Sequence, residues 1–287
     1  MNSESIMFLN NISSSRSDVI DECLLKYKRK YVEKLPGYEK ENEDALNFGS
    51  YIHRIFEMGY KLTHAKDLMR LAETEKGTYK VGSKHKDKTK ICIENFIRWN
   101  SQLGETVGVE LKYEVFLDEA ADITAIGVID RVIKGSKGGY LVIDYKTSKR
   151  EKKKHELLQN GQMMGYAYAI HKLYNVPISQ ITVAHYYPVT GHFITVKFSK
   201  IQIHNWRKKM IDKVWRIRKK KADDFPPMRN MFCNWCDHQP SCDLFNSPEV
   251  VAKRLDEQKK IRDDFKESQK DVEDGLKGRC PAQKKPT

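Results

Sequence analysis

The stretch GGYLVIDYKTSK, Gly138 to Lys149, sets an acid and a base into an apolar run. Tyr140, Leu141, Val142 and Ile143 are residues that fill a sheet. Side chains alternate along a strand, so Asp144 and Lys146 emerge on the same face. Burying both there is costly unless they pair with each other or bind something. A buried salt bridge and a functional site are therefore the two readings of this strand.

The neighbouring segments build a sheet around it. GVELKYEVFL (108–117) and ITAIGVIDRVIK (123–134) read as strands, and QITVAHYY (180–187) and HFITVKF (192–198) as a hairpin around Pro188 to Gly191. EKKKHELLQNGQMMGYAYAIHKLY (151–174) reads as one helix. IQIHNWRKKMIDKVWRIRKKK (201–221) reads as another, with Ile203, Trp206, Met210, Val214 and Ile217 as its core stripe and its basic residues on the other faces. Upstream, three helices are predicted: SSSRSDVIDECLLKYKRKYV (13–32), capped by hydroxyl residues; LNFGSYIHRIFEMGYKL (46–62), opened by Gly49 and Ser50; and KTKICIENFIRWNSQL (88–103). The segment 73–88 reads as an exposed polar stretch. This order suits an α/β fold of mixed α+β type, a mixed sheet flanked by helices.

Charge points to a polyanion. The net charge of +13 is concentrated between Lys197 and Lys221, which hold eleven lysines and arginines against one acidic residue, Asp212. A solvated helix face is the plainer reading. No run approaches the ~18 apolar residues of a membrane span. The N-terminus lacks a secretory pattern, so an intracellular, cytoplasmic location and reduced or metal-bound cysteines are expected.

Asp130, in GVIDRV, and Asp144 lie on successive strands, which brings them together with Lys146. Two carboxylates suit Mg²⁺ or Mn²⁺, and the Tyr145 carbonyl is a further ligand. Lys146 suits orientation or deprotonation of water, or neutralisation of charge on a phosphate. His53, in GSYIHRIFE, is a candidate imidazole ligand. Gln162 and Tyr166, in GQMMGY, are four apart on one helical face.

In the chain order helix-His, strand-Asp, strand-Asp-x-Lys, helix-Gln-xxx-Tyr, these pieces resemble the RecB-type branch of the PD-(D/E)xK nuclease superfamily, from about Ser13 to Phe245. The resemblance implies a restriction-endonuclease-like central mixed sheet and metal-dependent hydrolysis of DNA phosphodiester bonds. His53, Asp130, Asp144 and the Tyr145 carbonyl would be metal ligands and Lys146 the catalytic lysine. Gln162 and Tyr166 would support the site or contact DNA. Glu114 stands where some members carry an accessory acid.

Of six cysteines, Cys233, Cys236 and Cys242 have the spacing C-x₂-C-x₅-C, which reads as a metal site. His238 and Cys23 are the candidates for a fourth ligand, and His238 would suit zinc. The chain is similar here to the CRISPR-associated iron–sulfur exonucleases and AddB-type helicase-nucleases. That similarity implies a [4Fe–4S] cluster on Cys23, Cys233, Cys236 and Cys242, although Leu24 replaces the usual proline. Cys92 is expected in the core and Cys280 in a loose tail. The implied layout is one nuclease domain, 1–248. Within it, 13–47 and 225–248 form a cluster-binding subdomain joining the N- and C-terminal segments, 48–104 a helical insertion, and 105–221 the nuclease core. A charged tail, 249–287, helical and then disordered, follows.

The expected activity is a metal-dependent deoxyribonuclease, an exonuclease on single-stranded or end-containing DNA, in repair, recombination or phage DNA metabolism. Lys149, Arg150, Arg207, Lys208, Arg216 and Lys219 would hold the phosphate backbone without sequence preference. Tyr145, Tyr166 and Trp235 are candidates for base stacking, although packing is the plainer reading. A structure-specific endonuclease and a partner-controlled subunit, as in CRISPR spacer acquisition, are the alternatives. No Walker-type GxxxxGK[ST] occurs, so any helicase motor belongs to a partner. The length suits a virus-encoded enzyme.

Overall fold

The computed structural model describes residues 9–38, 44–221 and 223–277, with side chains to 270. Among them, 9–17 with 44–219 form one compact unit and 18–38 with 220–277 form another. Cys280 lies outside the described residues.

The larger unit is a six-stranded mixed sheet. Its strands are β1 (Asn11–Ile12), β2 (Glu105–Asp118), β3 (Ile123–Lys134), β4 (Tyr140–Tyr145), β5 (Ile181–Tyr187) and β6 (His192–Val196). β3 pairs antiparallel with β2 on one edge. On its other edge it pairs with β1, in parallel, and with β4, antiparallel. β4 and β5 run parallel, and β5 and β6 close the predicted hairpin. A parallel pair needs a crossover, and α6 (Lys154–Leu158) and α7 (Gly161–Tyr174) supply it. The single helix predicted over 151–174 is thus two. Asn160 is extended, and its side chain accepts the Met163 N–H to cap the second.

One sheet face lies under α3 (Asp44–Gly59), α4 (Ala65–Glu75) and α5 (Lys86–Asn100). Phe48, Ile52, Phe56 and Phe96 pack there with Ile133, Ile143, Tyr145 and Tyr186, and Cys92 is buried among them as expected. α3 begins before Gly49. A Cβ at Gly49 would stand 3.3 Å from Thr147 Oγ1, so glycine lets the helix approach the segment after β4. α4 was not legible, and it takes the start of the predicted polar stretch. α7 packs on the other face, beside α8 (Lys200–Arg218). There a Cβ at Gly127 would fall 2.6 Å from Tyr113 Oη, so glycine makes room for that ring across β3. The predicted stripe of α8 is buried. Not all its charges are on the surface, however. Lys213 is buried and donates to Ser17 Oγ at 2.6 Å, and Arg218 donates to the Leu9 and Ala121 carbonyls.

Arg131 is buried on the α3–α5 face without a carboxylate partner among its described contacts. It donates to Asn100 Oδ1 at 2.6 Å and to Thr106 Oγ1, and its guanidinium carbon lies 5.7–5.8 Å from the ring centroids of Tyr60, Phe96 and Trp99. The rings replace a counter-ion.

The helix predicted over 13–32 is interrupted. α1 (Ser14–Glu22) ends before Cys23, which is extended (φ −163°), and α2 (Leu24–Tyr27) leads into one turn of π-helix, Lys28–Val32. Tyr27 stacks on Phe225, buried Arg29 donates to Ser241 Oγ, and Gln258 of α9 (Pro248–Lys277) donates to the Pro36 carbonyl. No helix among the described residues is long and apolar enough to cross a membrane.

Candidate active site

Pairing of Arg131 with Ile143 brings Asp130 beside Asp144. Asp130 Oδ2 accepts the Tyr145 N–H at 2.6 Å. Lys146 Nζ lies 2.6 Å from Asp144 Oδ2, so the acid and the base do share a strand face. His53 reaches in from α3. Its Nε2–H donates to the Tyr145 carbonyl at 2.9 Å, and Nδ1 lies 3.5 Å from Asp130 Oδ2. From α7, Gln162 Nε2 donates to Tyr166 Oη at 2.8 Å, and Tyr166 Oη donates to Asp144 Oδ1 at 3.4 Å. All seven predicted residues thus converge at the carboxyl end of β4. An open cleft lined by His53, Glu110, Tyr145, Lys146 and Thr147 gives access.

Burial, and then the charge of Asp144, push Asp130 up to about 8. Burial lowers His53 and keeps it neutral. Burial also works to lower Lys146, but the Asp144 charge and hydrogen bond outweigh it, and the net shift is upward. Lys146 is therefore a cation and a donor in this state, not a free base.

Glu110 is a member of the site that the strand pattern did not reveal. His53, Glu110 and Asp130 each offer a ligand atom within 4.8 Å of the others. Glu110 takes a positive φ of 45° in β2, an uncommon conformation for a side-chain-bearing residue. Burial, and then Asp130, raise its carboxyl pKa. Glu114 stands apart from this group; it is exposed and accepts from Thr124 Oγ1 at 2.8 Å. One imidazole nitrogen, buried carboxylates and a backbone carbonyl fit a hard divalent cation such as Mg²⁺ or Mn²⁺.

Cation binding here has to displace the Asp130 proton. Mn²⁺ affinity is therefore expected to rise by up to about tenfold per pH unit as pH approaches ~8, and to flatten above it. The sign for folding is opposite. The native state holds this proton where the unfolded chain has lost it, so metal-free stability falls as pH rises from the ordinary carboxylate range towards about 8. Mn²⁺ titrations and melting curves across that window check both, with Asp130→Asn expected to flatten each.

The predicted DNA-contacting residues fall into two groups. Lys149 and Arg150 are exposed on the segment after β4, with Arg150 paired to Glu156 at 2.9 Å. Lys208, Arg216 and Lys219 are exposed on or just after α8, whereas Arg207 is half-buried and donates to the Leu117 carbonyl. The Tyr145 and Tyr166 rings are buried, which leaves only Trp235 of the three aromatics exposed.

In the smaller unit, Cys23, Cys233, Cys236 and Cys242 line one cavity. Two of the sulfurs accept a backbone N–H, Cys23 from Met228 at 3.5 Å and Cys233 from Asn230 at 3.3 Å. His238 lines the same cavity, and its buried Nε2 has no hydrogen-bond partner among the described residues.

Over 161 residues, 48% of its length, the chain is 28% identical to one of the subunits of the ATP-dependent helicase/deoxyribonuclease of Streptococcus mutans. It spans 14% of that protein. The crystal structure of SSO0001 aligns over 84% of this chain and 90% of its own, with 13% identity and a TM-score of 0.39. The profile of one family covers residues 11–243, from the first strand to beyond the last cavity cysteine. On that match the chain belongs to the PD-(D/E)XK nuclease superfamily.

Proposed function

We propose that the chain is a divalent-metal-dependent deoxyribonuclease, and that it acts as an exonuclease on single-stranded or end-containing DNA in repair, recombination or phage DNA metabolism. The observation that carries this is the burial of Asp130 and Asp144 together, with half-buried Lys146 and His53 beside them, at an open cleft. His53, Asp130, Asp144 and the Tyr145 carbonyl would hold the ion, with Glu110 as a further donor. When bound, the ion supplies Lewis-acid polarisation of a phosphoryl oxygen and activation of water. The Lys146 ammonium positions the attacking water and offsets charge developing on the phosphate. Tyr166, fixed by Gln162, steadies Asp144. Lys149, Arg150, Lys208, Arg216 and Lys219 supply salt-sensitive phosphate contacts.

A [4Fe–4S] cluster on the four cavity cysteines completes the proposal. Four thiols on one cavity, two of them with a backbone N–H donor, fit a thiolate cluster. Its contribution is structural cross-linking. The unpartnered His238 Nε2 supports the alternative, a zinc site that includes this imidazole.

Anaerobically purified protein is tested on closed circular single-stranded and end-labelled linear DNA with Mg²⁺ or Mn²⁺. The expected result is metal-dependent loss of the linear DNA alone. Cutting of the circle would replace the exonuclease with a structure-specific endonuclease. Inactivity in protein that still binds DNA would favour a subunit controlled by a helicase, recombination or CRISPR-adaptation partner.

A further inference from the structure

We propose that His185 is a positioning residue for Asp144, and that His185 and Tyr187 tie this carboxylate to the basic segment between β4 and α6. The proposal rests on the nuclease reading above and adds residues to it.

The parallel register of β4 and β5 sets Asp144 beside His185. The imidazole is fully buried, at 0% exposure. Its Nε2 has no hydrogen-bond partner among the described residues, and it lies 3.6 Å from Asp144 Oδ2. Its Nδ1 lies 3.3 Å from Tyr187 Oη, and that oxygen accepts the Lys152 N–H at 2.8 Å. With one lone pair of the phenol oxygen occupied, the phenol hydrogen is free to donate to Nδ1. The ring proton then sits on Nε2 and points at Asp144. A buried polar ring with nothing to bond would cost stability, and an apolar side chain would fill the same space without that cost.

Asp144 is consequently approached on both oxygens. Tyr166, held by Gln162, addresses Oδ1, while Lys146 and His185 face Oδ2. The second path begins at the backbone of Lys152, in the segment that also carries Lys149, Arg150 and Lys153. Glu151 pins this segment to the β5–β6 hairpin by accepting from Thr190 Oγ1 and His192 Nδ1. A carboxylate clamped in this way meets a cation without first having to reorient. Outer partners of metal ligands typically change affinity by ~10- to 100-fold.

The test is Mn²⁺ binding to the full chain, read by electron paramagnetic resonance of the free ion, together with the Mn²⁺ dependence of DNA cleavage. His185→Phe is expected to weaken Mn²⁺ binding by ~10- to 100-fold, with little change in KM for DNA. His185→Gln, which can place an amide N–H near the position of Nε2, is expected to restore most of the affinity. Tyr187→Phe, which removes only the hydroxyl, is expected to weaken binding several-fold. It keeps the test decisive if His185→Phe does not fold. Equal loss in the Phe and Gln variants would reduce His185 to a packing residue and overturn the proposal, as would unchanged Mn²⁺ affinity in Tyr187→Phe. Wild-type protein that neither binds Mn²⁺ nor cuts DNA would instead overturn the nuclease reading beneath it.

Discussion

Lys146→Ala is expected to slow DNA cleavage by about three orders of magnitude, close to 4 kcal/mol of transition-state stabilisation, with DNA affinity changed no more than a few-fold. The ammonium is the cation nearest the two buried carboxylates, and about a third of its side chain is exposed, so it faces both them and the cleft. It is not among the residues proposed to carry phosphate affinity, so binding is expected to survive its removal. Single-turnover cleavage and equilibrium binding on the same oligonucleotide separate the two effects. Equal loss of binding and cleavage, with a lowered Tm, would mean that Lys146 serves Asp144 as a structural counter-ion. Undiminished cleavage would remove it from the reaction.

Cys236→Ser is expected to abolish iron incorporation and lower Tm by on the order of 10 °C, the equivalent of a few kcal/mol. Cys23 and the cysteines from Cys233 onward are far apart in the chain, so a shared cluster closes a long loop whose ends otherwise depend on contacts such as Tyr27 on Phe225. Metal analysis, sulfide content and melting curves check this. Zinc in place of iron, with a similar melting loss in His238→Ala, would transfer the role to the zinc site. Iron content and Tm equal to wild type in Cys236→Ser would remove this cysteine from the ligand set.

The strands that carry the site were legible because Asp130, Asp144 and Lys146 interrupt apolar runs of the right length, and the hairpin because Pro188 to Gly191 separates two alternating segments. The core stripe of α8 followed from its period, and Cys92 was expected in the core, where it lies. The rest depends on tertiary context. α4 has a regular apolar stripe, Ala65, Leu68, Met69 and Ala72, but it is only eleven residues long and its last turn runs into the polar stretch that follows. The breaks at Cys23 and Asn160 come from residues that leave the helical backbone to present a thiol or a cap. Glu110 enters the site through a positive φ, and His185 through the β4–β5 register, neither of which is written in local composition. Charge counting also overstated the basic face of α8, because Arg207, Lys213 and Arg218 donate to the protein itself.

The aromatic cage around Arg131 acts as a sign-sensitive key for strand alignment. A slip of β3 by one residue would exchange the two faces of the strand. It would press the Asp130 carboxylate against the electron-rich faces of Tyr60, Phe96 and Trp99, which repel an anion. The same slip would bring the guanidinium in beside Asp144 and Lys146, filling the place of the ion. Adjacent residues of opposite charge thus make the misaligned sheet unfavourable on both faces at once. The aspartate is kept at the cleft by a residue that never touches it.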